Sequence, residues 1–134
     1  MESPETFAGP ASGIPAYVIV DSRDPDRITP FWCALLGVEV LENRNGGQYV
    51  SLQPAQCLPG SMILVFQRVP ETKTGKNRVH VDMFVEDLAA ETARVEELGG
   101  RWTEPGTVND GGWLSRVMVD PEGNEFCICV KPPA

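Results

Sequence analysis

His80 is the only histidine among the 134 residues, so any imidazole chemistry, metal ligation or proton transfer, has to pass through it. It lies in Val79-His80-Val81-Asp82-Met83-Phe84-Val85, an apolar-rich run of strand type. Alternation along a strand puts His80, Asp82 and Phe84 on one face and Val79, Val81, Met83 and Val85 on the other. The aliphatic face is the one to pack on a helix, which leaves His80 and Asp82 facing a cavity. There Asp82 can accept a hydrogen bond from the imidazole and raise its pKa, making His80 with Asp82 a candidate catalytic pair near neutral pH. The same pair can also satisfy itself inside a sheet without doing chemistry.

Cys127 and Cys129, two apart on an expected strand, share a face and point the same way as that cavity if the register allows. A thiol nucleophile there needs a neighbouring cation to lower its pKa, and a small buried apolar side chain is the simpler reading. The four cysteines (Cys33, Cys57, Cys127, Cys129) contain no C-x-x-C and no second Cys/His pair, so no structural zinc site is expected. Three more side chains are candidates for ligand contact. Gln67 is the polar end of an apolar strand, and Arg78 stands next to the strand of His80, where it can reach a carboxylate. Trp113 follows the flexible turn Asn109-Asp110-Gly111-Gly112 and can stack on a ligand, whereas Trp32 falls on a helix stripe and reads as core.

The elements that must position these residues follow from pattern and punctuation. Ala16 to Val20 reads as a strand. Asp24-Pro25 can open a helix whose apolar stripe is Ile28, Phe31, Trp32, Leu35 and Leu36, with Gly37 stopping it. Pro30 leaves two readings: a helix from Pro25 with proline inside it, or one capped by Thr29 that begins at Pro30. Strands are expected over Val38 to Glu42, Gln48 to Gln53 and Met62 to Gln67, with Pro54 to Gly60 as a loop. Arg68 to Arg78 holds four of the eleven basic residues against one acid and reads as an exposed linker.

The order then repeats about 62–63 residues on. Val79 to Val85 is the strand; Asp87 caps a helix through Leu98 that Gly99-Gly100 ends. Strands follow over Arg101 to Glu104, Trp113 to Val119 and Glu125 to Val130, the last after the turn Asp120-Pro121-Glu122-Gly123-Asn124. The chain is thus α+β, with two βαβββ half-units (about 14–70 and 78–131) in one domain at 14–131 and a disordered leader at 1–13. A unit of about 60 residues has too little core to stand alone, so the halves must pack together.

Composition excludes other classes. A net charge of −8 argues against nucleic acid or an anionic membrane as partner. No apolar run reaches the roughly 18–20 residues of a membrane span. The start Met1-Glu2-Ser3-Pro4-Glu5 lacks the features of a signal peptide, so reduced thiols and a cytoplasmic location are expected.

Taken in order, Asp24-Pro25, Phe31-Trp32, Leu36-Gly37, Val79-His80-Val81-Asp82, Leu98-Gly99-Gly100 and Asp120-Pro121-Glu122-Gly123-Asn124-Glu125-Phe126 resemble the vicinal oxygen chelate superfamily. Within it the chain looks most like the glyoxalase-like and bleomycin-resistance-like proteins, over residues 14–131. The resemblance implies a curled eight-stranded sheet around a cavity, a homodimer, and a small organic ligand. In metal-using members it implies four ligands, from the first and last strand of each half, holding a divalent ion that acts as a Lewis acid. His80 matches one such position. Its first-half counterpart is Tyr17; the last-strand positions fall on Cys127 and on Val65, with Gln67 two residues along. A divalent metal at His80 stays open, but the standard set is incomplete, and the resemblance calls for no other cofactor. The expected function is therefore small-molecule binding, with Tyr17, Gln67, Arg78, Trp113 and Cys127 as contacts. The alternative is a lyase or isomerase using His80 with Asp82, with or without metal. The acidic balance leans the ligand towards a neutral or cationic molecule, with Arg78 as the opposing charge.

Overall fold

The computed structural model describes residues 16–54, 63–103 and 106–133, and within them the first half runs β1 (Tyr17–Ser22), α1 (Pro25–Leu36), β2 (Val40–Arg44), β3 (Tyr49–Leu52) and β4 (Ile63–Arg68). The second half repeats the order with one added strand: β5 (Asp82–Phe84), α2 (Leu88–Glu97), β6 (Arg101–Trp102), β7 (Val108–Asp110), β8 (Trp113–Val119) and β9 (Glu125–Val130). The leader at 1–13, Cys57 and most of the 54–60 loop lie outside the described residues. The α+β reading of two βαβββ units holds. The strands form two open sheets, ordered β1-β4-β3-β2 and β5-β9-β8-β6, with β7 pairing β8. In each half the first and last strands pair in parallel, β1 with β4 and β5 with β9.

Helix α1 begins at Pro25 and keeps Pro30 inside, on its exposed side, so the first of the two readings of that proline is the one realised. Asp24 does not cap it through its side chain. The helix start is instead served from the other half, where Glu122 accepts hydrogen bonds from the Arg23 N–H (2.8 Å), the Asp24 N–H (3.4 Å) and the Ser22 hydroxyl. A carboxylate at a helix N-terminus also opposes the positive end of its dipole. Helix α2 follows expectation: Asp87 accepts from the Ala90 N–H at 3.1 Å. At its far end Gly100 is enforced by packing. A Cβ there would sit 2.6 Å from the Val119 carbonyl oxygen and 2.8 Å from Val95 Cγ1.

One core spans both halves. Ile28, Phe31, Trp32 and Leu35 of α1 meet Leu52 and Phe66 of the first sheet and Met118, Phe126 and Ile128 of the second. Phe126 packs against Trp32 with centroids 5.0 Å apart and against Phe31 at 6.1 Å. Arg94 of α2 reaches back to donate to the carbonyls of Ala34 (2.6 Å) and Leu35 (3.2 Å), which an α-helix leaves without internal partners at its end.

The strand expected over Val79 to Val85 is confined to Asp82–Phe84, although Val81 and Met83 pack on the core as the alternation requires. The cause lies on the neighbouring strand. In the β5–β9 register, Asp82 pairs with Cys127, so continuing the ladder would bring His80 to Glu125. The Glu125 carbonyl is already engaged by the Asn77 side-chain amide at 3.2 Å. Val79, expected inward, is 75% exposed for the same reason.

Candidate functional site

Between β1 and the segment joining the halves lies a cavity of about 450 Å³. Val18, Val20, Leu64, Trp32, Val81 and Phe126 give it an apolar lining; Asp21, Glu71, Lys76, Arg78 and His80 bring polar groups. The joining segment has no regular structure, and Glu125 holds it in place. The Glu125 carboxylate pairs with Lys73 Nζ at 2.9 Å and accepts from the Asn77 N–H at 3.2 Å. Burial alone would raise the Glu125 carboxyl, but the Lys73 ammonium and the Asn77 N–H outweigh it and hold the group below the usual glutamate value.

The cavity floor is built by the turn before β9, which the sequence reading used only as a turn and a family mark. Asp120 is 3% exposed and accepts four hydrogen bonds. These come from Trp32 Nε1 (3.0 Å), the Asn124 side chain (2.9 Å) and the backbone N–H groups of Glu122 (2.9 Å) and Asn124 (3.0 Å). Burial pushes its carboxyl above the ordinary aspartate value, against the pull of Asn124 and Trp32. With Glu122 on the start of α1, Asp120-Pro121-Glu122-Gly123-Asn124 is a clamp between the halves, and its chemistry is architectural. The only available signal was a buried-type Trp32 needing a partner for its N–H.

His80 and Asp82 form the expected pair, Nε2 to Oδ1 at 3.2 Å, with both side chains about half exposed, at 50% and 54%. The parallel β5–β9 register adds Cys127, and the ligating atoms of His80, Asp82 and Cys127 all lie within 4.8 Å of one another. Burial, and then the negative charge of nearby Asp82, push the Cys127 thiol up to about 11; the Lys76 ammonium only partly opposes this. At neutral pH Cys127 is a thiol, and it lacks the electropositive setting a nucleophile needs.

The other sequence-derived candidates are dispersed. Arg78 and His80 line the cavity; Asp82 and Cys127 adjoin it through His80. Tyr17 starts the edge strand β1 and is 59% exposed, while Gln67 sits inside the first sheet between Asp21 and Tyr49. Trp113 lies on the second sheet, its ring 5.8 Å from that of Phe84, over which Lys131 places its ammonium at 4.7 Å. The registers Ile19–Val65 and Asp82–Cys127 make Val65 the first-half equivalent of Cys127, and Asp21–Gln67 with Phe84–Cys129 does the same for Gln67 and Cys129.

A divalent ion held by four side chains, two from each half, does not fit these residues. Val65 offers no donor atom and is 8% exposed, and Tyr17 offers only a phenol. Among the described residues, the His, Cys and carboxylate atoms close enough to share an ion are those of His80, Asp82 and Cys127, in the second half.

A family model for the glyoxalase-like domain matches residues 17–129. A glyoxalase/bleomycin resistance protein/dioxygenase family enzyme from Burkholderia phytofirmans PsJN is similar, with 16% identity, TM-score 0.66, and coverage of 88% of this chain and 98% of that one. A glyoxalase-related enzyme from Fulvimarina pelagi has 14% identity and TM-score 0.68 over 90% of this chain and 89% of that one. The oxidase ChaP-H2 has 20% identity and TM-score 0.63 over 91% and 96%. At these identities the likeness is one of fold. No curated protein matches the chain. The chain belongs to the glyoxalase-like domain family, within the vicinal oxygen chelate superfamily.

Proposed function

From that membership we propose that the chain binds a small organic molecule in the cavity between β1 and the joining segment. The observation that supports this best is the cavity itself. Its volume of about 450 Å³ falls in the roughly 300–1,000 Å³ range of small-molecule sites, with an apolar lining and a few polar groups. Asp21 and Glu71 line the cavity beside Lys76 and Arg78, and charges this near a bound ligand weigh more on it than the remote share of the −8 net charge. The protein works as a homodimer in the cytoplasm, a reading its free thiols at Cys33, Cys127 and Cys129 fit. A second reading makes it a lyase or isomerase, favoured by the 3.2 Å pairing of Asp82 with His80, the member of the pair that lines the cavity.

A thermal-shift screen of small acids, amides and aromatic compounds tests the first reading. A ligand at 100 times its Kd stabilises by about 2.7 kcal/mol, several degrees in Tm. Arg78→Ala is expected to shrink the shift and Trp113→Ala to leave it unchanged. The opposite pattern would move the site to the Trp113–Phe84 face. Turnover of a hit that His80→Ala abolishes without abolishing the shift would establish the second reading.

A further inference from the structure

We infer that the cavity ligand is a short peptide, bound in extended form along the open edge of β1 and adding a strand to the first sheet. This rests on the cavity reading above and deepens it by naming the chemical class.

The first observation is which residues form the wall. Val18, Ile19, Val20 and Asp21 are consecutive, and all of them line the cavity. Side chains of a strand alternate between its two faces, so a cavity bordered by an unbroken run meets the strand edge-on. That edge is unpaired. β1 ends its sheet, and among the described residues it pairs with β4 alone. The Ala16 carbonyl accepts from the Ile63 N–H at 3.1 Å, and the Ser22 carbonyl from the Val69 N–H at 2.9 Å. Along a strand the N–H and C=O of one residue point to one side and those of the next residue to the other. The even-numbered residues of β1 therefore spend both groups on β4, and Ile19 and Asp21 turn theirs to the cavity.

An extended peptide answers such an edge, because its own N–H and C=O groups repeat at the spacing of a strand. From Val18 to Asp21 the strand runs about 10 Å, at about 3.3 Å per residue, which matches about three ligand residues. The cavity volume of about 450 Å³ suits a ligand of that size. The joining segment forms the facing wall, which favours a short ligand over the strand of a larger partner. Val18, Val20 and Leu64 offer an apolar surface to one ligand side chain. Asp21, Glu71, Lys76 and Arg78 also line the cavity, and none of them takes part in the ion pairs of the described residues. Both signs of charge are thus open to the two charged ends of a free peptide.

Calorimetric titration of the full chain with trileucine, and with trileucine methylated at both amide nitrogens, tests this beside the compounds of the thermal-shift screen. Trileucine is expected to bind, and the methylated analogue about 10-fold more weakly, because the ligand has lost its amide donors. Ile19→Pro removes an N–H that faces the cavity and none that β4 uses. Proline is tolerated on an edge strand where its nitrogen faces away from the sheet. The variant should keep the circular dichroism of the wild type and bind trileucine about 10-fold more weakly, whereas Ile19→Val, which keeps the N–H, should bind as wild type. Should Ile19→Pro unfold, the methylated analogue on wild-type protein still decides. Equal affinity for trileucine and its methylated analogue overturns the proposal, as does wild-type binding by a folded Ile19→Pro. Failure of trileucine to bind while another compound of the screen does also overturns it, and leaves the cavity reading standing. If no compound binds, the cavity reading falls as well.

Discussion

Replacing Asp120 by Asn tests whether the turn before β9 is the clamp that joins the halves. The substitution keeps shape and one carbonyl oxygen, which can go on accepting from the backbone N–H groups of Glu122 and Asn124. The other oxygen becomes an NH₂ group that faces two donors, Trp32 Nε1 at 3.0 Å and the Asn124 amide at 2.9 Å. Asn124 can turn its amide over and recover a bond. Trp32 cannot turn, because Phe31 at 5.6 Å and Phe126 at 5.0 Å hold its ring. A buried indole N–H is left without a partner, which costs about 2–3 kcal/mol. Removing a buried charge offsets about 1 kcal/mol of that, so the net loss should be about 1–2 kcal/mol. With a urea m-value of about 1.5–2 kcal/mol/M, the unfolding midpoint should fall by about 1 M. Equilibrium urea unfolding followed by tryptophan fluorescence and circular dichroism reads this directly. In a Trp32→Phe background the offending donor is gone, and D120N should then cost less than about 1 kcal/mol, a coupling expected only of residues in contact. A wild-type midpoint for D120N would refute the reasoning. So would an equal cost in both backgrounds, since the clamp would then not run through Trp32.

The Glu125 tether carries a pH dependence. Its carboxyl is held below the ordinary glutamate value of 4.5, so its contribution to stability is complete above that value and is lost as pH falls through the lowered one. In the presence of chelator, Glu125→Gln should therefore unfold more readily than wild type at pH 7 and converge towards it in acid; a constant gap from pH 7 to 3 would contradict the tether. Gly100→Ala should destabilise by about 2–3 kcal/mol, because its methyl group collides with backbone at Val119 as well as with Val95 and Phe31. A Tm within 2 °C of wild type would show that the end of α2 yields more easily than these contacts imply.

The periodic elements were legible because their causes are local. The alternation around His80 put Val81 and Met83 against the core without any tertiary knowledge, while of His80 and Asp82, both expected to face the cavity, only His80 lines it; the bounds of β8 and β9 were read residue for residue. Asp87 was recognised as a cap because its partner, the Ala90 N–H, is three residues away. Asp24 looked equally good as a cap, but its side chain makes no capping bond; Glu122, 98 residues distant, instead accepts from the Asp24 N–H just before the helix. The added strand β7 was missed because Val108–Asp110 is three exposed residues with no apolar alternation. The candidate contacts Gln67 and Trp113 were chosen by residue type and Tyr17 as the first-half counterpart of His80, and the fold spreads them over two sheets away from the cavity lining.

The length and the repeat of order already required two half-units too small to stand apart, since about 60 residues cannot bury enough surface alone. The face on which His80 lies was likewise set by alternation, which needs only covalent geometry. What joins the halves was settled in three dimensions: Asp120 reaching Trp32 across 88 residues, Glu122 seated on α1, and Glu125 holding the segment that bounds the cavity. The same is true of Cys127, which becomes a neighbour of Asp82 only through the register of a parallel strand pair. No turn fixes that register. It follows from how the two strands bury their inner faces against the helices, and burial of that kind is a property of the assembled core.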